Sequence, residues 1–219
     1  VLPHKLQNLL ARIYSIDIDA NVSDYLVTDE KFLEAFSGSS DSNADEVLFL
    51  LEEDGVLDIS LYLNKLMLQR LSASNPYADL DQNNLDDFCT VLEGVSHFVY
   101  IAWNALNDKS VTRLELELQA EIDKYVATRL LIDSQAESDM TSCDLVEHLF
   151  DDVHYHDWLS GDELERYRQA NGMGGRYCYS LAQRFPGGRL TGEMVQELRS
   201  FYRMPQPDKF SHIHTRQFA

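Results

Sequence analysis

Carboxylates and imidazoles recur in this chain at spacings that a helix would gather. Glu93, His97, Tyr100 and Asn104 follow at intervals of four, three and four, which makes one polar stripe on a helix. Glu117 and Glu121 lie one turn apart further along. An imidazole beside carboxylates on facing helices can hold a divalent metal ion or move a proton. The spacing Glu-x-x-x-His departs from the Glu-x-x-His of paired-metal helical bundles. A second group is Glu147 to Asp157, where His148, Asp152, His154 and His156 fall close together. Neutral imidazole and carboxylate are ordinary ligands for zinc, nickel or copper. No His-Glu-x-x-His accompanies them, and no cysteine completes a zinc spacing.

The elements that position these residues can be read from periodicity. Leu85, Phe88, Leu92, Val95, Val99, Ala102 and Leu106 form a heptad-like seam, which predicts a long helix from Asn84. Thr112 and Glu115 make a capping box for a second helix that runs to about Ile132. So short a link predicts an antiparallel pair, with His97 and Glu121 at similar height. At about 100° per residue, Glu93 and His97 point away from the seam, which predicts either solvated polar groups or a His97 paired with a carboxylate.

Around that pair, Leu6, Leu9, Leu10 and Ile13 predict an N-terminal helix, and Phe32, Leu33 and Phe36 a short one. Residues 46–63 read as a β-hairpin: an apolar run, the turn dipeptide Asp54-Gly55, then alternation through Leu57, Ile59, Leu61 and Leu63. Ser160 and Glu163 form a second capping box. The helix after it meets Gly172, Gly174 and Gly175, which predicts either a break or a close approach. Thr191 to Arg203 is a further amphipathic helix, and the tail beyond Pro207 is expected to lie extended. The expected fold is mainly α, a single-domain helical bundle over residues 1–219 around one antiparallel pair.

Charge divides the chain. Residues 1–160 carry 31 of the 37 acidic residues and nine of the 18 basic ones, a balance of −22. Residues 161–219 carry nine basic and six acidic residues, and their arginines alternate with aromatics. A net charge of −19 opposes nucleic acid and anionic lipid and favours basic partners or cations. Arg166, Arg168 and Arg176 are therefore candidates for pairing with the acidic body or with a second copy of it. No apolar run reaches the roughly 18–20 residues that span a bilayer. Val1 to Lys5 do not resemble a secretory signal, and three dispersed cysteines fit a reducing compartment, so a cytoplasmic location is expected. There is no G-x-S-x-G, P-loop or kinase motif set.

Two functional classes follow. The first is a non-catalytic interaction or regulatory protein whose acidic surface engages a basic partner or itself. The second is a metal-binding helical protein or metal-dependent enzyme, which would use a divalent ion held by the Glu/His residues of the central helix pair. The sequence names no cofactor beyond such an ion.

Overall fold

The computed structural model describes residues 1–36, 44–135, 142–151, 153, 155, 159–186 and 190–215. The protein is mainly α-helical with a small three-stranded sheet. Its centre is the pair α4 (Leu85–Leu106) and α5 (Arg113–Ser134). Thr112 starts α5 by accepting a hydrogen bond from the Glu115 N–H at 3.1 Å. Cross-helix contacts run 93 to 124, 96 to 123 and 100 to 115, so the two helices are antiparallel.

The sheet consists of β1 (Leu26–Val27), β2 (Glu46–Glu53) and β3 (Val56–Leu63), in the order β1-β3-β2. β2 and β3 form the expected hairpin, with Glu53 paired to Val56 across the turn. Asp54 and Gly55 both take positive φ (52° and 77°), the backbone a two-residue hairpin turn requires. β1, too short to show in the sequence pattern, adds parallel to β3. The sheet packs on α4, and side chains of β2 and β3 lie over Gly94. A Cβ there would lie 2.7 Å from Glu46 Cγ and 2.9 Å from Leu61 Cδ1. Only a glycine lets the strand come this near.

α1 (Leu2–Tyr14) lies on α4, while α7 (Gly161–Arg184) and α6 (Ser142–Phe150) cover α5. Ser160 and Glu163 complete the capping box that opens α7. α7 runs unbroken through its glycines. A Cβ at Gly174 would sit 2.8 Å from that of Glu121, and one at Gly175 would meet Phe150 at 3.1 Å. These glycines therefore serve close packing.

α8 (Gly192–Arg203) lies on α1. Arg199 donates to the Ile13 carbonyl at 2.8 Å, and Arg203 donates to those of Tyr14 and Ser15 at 2.9 and 3.0 Å. The last carbonyls of a helix have no partner within it, and these arginines supply one. The tail is not extended: α9 (Gln206–Thr215) follows Pro205, with Pro207 in its first turn, where no N–H is needed. Asn84 does not cap α4. Its side chain holds the preceding loop instead, donating to the Asp79 carbonyl at 2.8 Å.

The expectation of solvated polar stripes fails for a packing reason. Leu85, Phe88, Val91, Val95 and Phe98 are buried, and so are Ser96, His97, Tyr100 and Asn104 on the other sides of the same helix. α4 is enclosed by α1, α5 and the sheet. In such a helix, distance from the apolar seam leads to a neighbouring element and not to water.

Candidate metal centre

Four elements deliver side chains to one buried spot. α4 contributes Glu93 and His97, and α5 contributes Glu117, Glu121 and Lys124. β2 supplies Glu46 across Gly94, and α7 supplies Arg166. Ligand atoms of Glu93, His97 and Glu117 all lie within 4.8 Å of one another. The His97 ring stands between two carboxylates, with Nδ1 3.6 Å from Glu46 Oε1 and Nε2 3.3 Å from Glu117 Oε2. His97 faces Glu117, one turn away from the height expected for it, and Glu93 is joined to Glu121 through Lys124. The ammonium lies 3.1 Å from Glu93 Oε2 and 3.0 Å from Glu121 Oε1. Arg166 Nε is 3.5 Å from Glu117 Oε1.

Proximity here does not amount to hydrogen bonding. His97 Nε2, Glu46 Oε1 and Arg166 Nε are buried and have no hydrogen-bond partner among the described residues. His97 and Glu117 are close enough to attract, but the ring nitrogen is not aligned on the carboxylate. Buried polar groups are nearly always paired, because leaving one unpaired costs about 1–3 kcal/mol. Three such atoms lie in this one cluster, held by charged contacts at 3.3–3.6 Å and not by aligned hydrogen bonds.

The electrostatics agree. Burial alone would depress the His97 pKa, but the carboxylates of Glu117 and Glu46 raise it well above the usual histidine range. Burial raises Glu46 and Glu121. Burial also opposes ionisation of Glu93, yet Lys124 outweighs it and holds that carboxyl below its ordinary value. Four carboxylates face two permanent cations, Lys124 and Arg166, and His97, with its raised pKa, adds a third charge at rest; once His97 gives up its proton the formal balance is −2.

Tyr100 and Asn104 belong elsewhere. On the other side of the helix pair, the Tyr100 hydroxyl donates to Glu115 Oε1 at 2.6 Å and accepts from Lys209 Nζ of α9 at 2.6 Å. Asn104 donates to the Tyr100 carbonyl at 2.8 Å. Lys209, fully buried, also donates to Gln119 Oε1 at 3.2 Å. Asp123 completes this network, accepting from Ser96 at 2.6 Å, from Gln119 at 2.9 Å and from the Tyr14 hydroxyl. Burial pushes the Asp123 carboxyl up to about 6 and the Lys209 ammonium down to about 8.

Of the second histidine group, His148 is exposed on α6, while Asp152, His154 and His156 lie outside the described residues. Among the arginine candidates, Arg166 turns inward to Glu117, and Arg168 and Arg176 are exposed. Arg168 lies over the Tyr155 ring, 5.9 Å from its centre. The stripe residues Glu93, His97, Glu117 and Glu121 thus meet. Sequence reasoning did not place Glu46 with them, because no periodicity links a strand residue to a helix 50 positions away.

No family model matches the chain, and neither a curated protein nor a solved structure is significantly similar to it.

Proposed function

We propose that this protein binds a divalent cation with Glu93, His97 and Glu117, and with Glu46 as a fourth ligand. One observation carries the reading: the buried His97 Nε2, which lies 3.3 Å from Glu117 without an aligned hydrogen bond and shares a 4.8 Å cluster with Glu93. A metal ion would displace the proton from His97 to solvent and accept the freed lone pair and those of the carboxylates, and its charge of +2 would cancel the balance of −2 that remains. Three carboxylates and one imidazole form a set of hard and borderline donors, suited to Mn²⁺, Fe²⁺ or Zn²⁺ and unsuited to thiophilic ions. Four protein ligands leave coordination positions for water or substrate on an ion that prefers six.

Metal analysis by mass spectrometry, on protein purified without chelator, tests this. About one divalent ion per chain is expected, falling at least tenfold in His97→Gln and Glu117→Gln. A metal-free wild type that also fails to take up added Mn²⁺ or Zn²⁺ would remove the reading.

The second reading, an acidic surface that engages a basic partner or another copy, draws on the net charge of −19. Arg168 and Arg176 are exposed, which would let them take part in such a contact. Screening shortens the Debye length from about 10 Å at 0.1 M salt to about 3 Å at 1 M, so any such assembly should dissociate as salt rises. Sedimentation that gives the same mass at both salt concentrations would count against it.

A further inference from the structure

We infer that the carboxylate cluster is a two-cation cage in which the chain's own Lys124 permanently occupies one position. This rests on the divalent-cation reading above and adds which position the ion takes, how many ions bind and what sets that number.

The geometry has two lobes that share Glu93. In one lobe Glu93 closes with His97 and Glu117, all within 4.8 Å, beside atoms that lack partners. In the other lobe Glu93 and Glu121 grip a single ammonium at 3.1 and 3.0 Å. Glu93 thus has the place of a bridging carboxylate, with a cation on one side and an open set of ligands on the other. Lys124 is held there firmly: it comes from the same helix as Glu121, three residues on, and its side chain is largely buried. A Cβ on Gly174 would lie 2.8 Å from that of Glu121, so α7 packs closely over this lobe.

Charge fixes the count. With Lys124 and Arg166 in place and His97 deprotonated on ligation, the formal balance is −2, and one divalent ion neutralises it. A second ion beside Lys124 would leave a buried excess of +2, with no donor set of its own. Replacing Lys124 by a neutral residue takes the balance to −3 and frees Glu121 together with one oxygen of Glu93. A second divalent ion can then enter, bridged to the first by Glu93, at the roughly 3.5–4 Å separation of two-metal sites.

Mn²⁺ titration followed by electron paramagnetic resonance reads this directly. Wild type is expected to bind one Mn²⁺ with the spectrum of an isolated ion, and Lys124→Arg likewise. Lys124→Gln should bind two, with the spectrum of an exchange-coupled pair, and adding Glu121→Gln should return the count to one. Folding of each variant is checked by circular dichroism. A folded Lys124→Gln that still binds one ion overturns the inference, and so does a wild type that binds two. A measurement on wild type alone is independent of any variant. With ¹⁵N-lysine and bound Mn²⁺, electron–nuclear double resonance should show an ammonium nitrogen coupled to the ion, and no such coupling would overturn the proposal. A wild type that binds no Mn²⁺ is a different outcome, since it removes the cation reading itself.

Discussion

Two buried polar clusters flank the α4–α5 pair, and they differ in how well they are satisfied. On the α1 and α9 side, each charged group has a hydrogen bond: Asp123 with Tyr14, Ser96 and Gln119, Glu115 with Tyr100, and Lys209 with Tyr100 and Gln119. On the sheet and α7 side, the charged residues Glu46, His97 and Arg166 each keep a buried atom without one, whereas the unpaired atom on the other side is the neutral Tyr202 hydroxyl, stacked on Tyr14. The same helix pair, with similar residue types, builds both. A network whose charges are all bonded gives a fixed structure, and its loss is costly. A network with unpaired atoms costs stability in its resting form, which is tolerable where a ligand completes it.

The largest expected effect breaks the satisfied side. Asp123→Ala leaves Tyr14, Ser96 and Gln119 without their shared acceptor and Lys209 with less negative charge nearby. Removing one member of a buried charged network costs about 3–5 kcal/mol, and chemical denaturation should show a loss of that order. A loss under about 1 kcal/mol would mean that the two clusters do not differ as described.

The second effect concerns pH. The Asp123 carboxyl titrates at about 6 in the folded protein, and a free aspartate titrates near 4. Between these values the folded chain holds a proton that the unfolded chain has released. Stability from this group is therefore complete below about pH 4 and is lost as pH rises through about 6. Two pKa units correspond to about 3 kcal/mol. Asp123→Asn should flatten that slope, and equal slopes for variant and wild type would show that the group is not responsible.

The smallest effect sharpens the comparison from the other side. A ligand present at a hundred times its dissociation constant stabilises the fold by about 2.7 kcal/mol. Mn²⁺ should therefore raise the wild-type melting temperature and leave that of His97→Gln unmoved. Asp123→Asn, with its unaltered cation cluster, should keep the full rise. Loss of the rise in both variants would mean that the clusters act as one unit.

Much of this architecture was legible in the sequence, because it depends on local rules. Thr112 and Ser160 announced two helix starts, Asp54-Gly55 the hairpin, and the seam from Leu85 to Leu106 the central helix. The stripe on α4 was legible as well, but its surroundings were not. Periodicity says which residues share a face and leaves open what covers it. α5 is buried on opposing sides, with Glu117 turned to α7 and Asp123 to α1, so the inference from polar to solvated failed there. Glu46 and Lys209 enter their clusters through tertiary contacts with partners 51 and 109 positions away, as His97 and Tyr100 show. α9 was missed because its short, proline-flanked segment is held by tertiary contacts, with Ile213 in the core and Lys209 bonded to Tyr100 and Gln119.

The arginines that close the end of α1 bear on the order in which the chain matures. Arg199 and Arg203 lie 186 to 189 residues beyond the carbonyls they satisfy. At a synthesis rate of about 5–20 residues per second, α1 leaves the ribosome roughly 10–40 s before those side chains exist. Until then, water must stand in for the guanidinium groups at the helix end. α1 is thus made long before it is sealed, and a ribosome that stalls before residue 199 leaves it open at its C-terminal end.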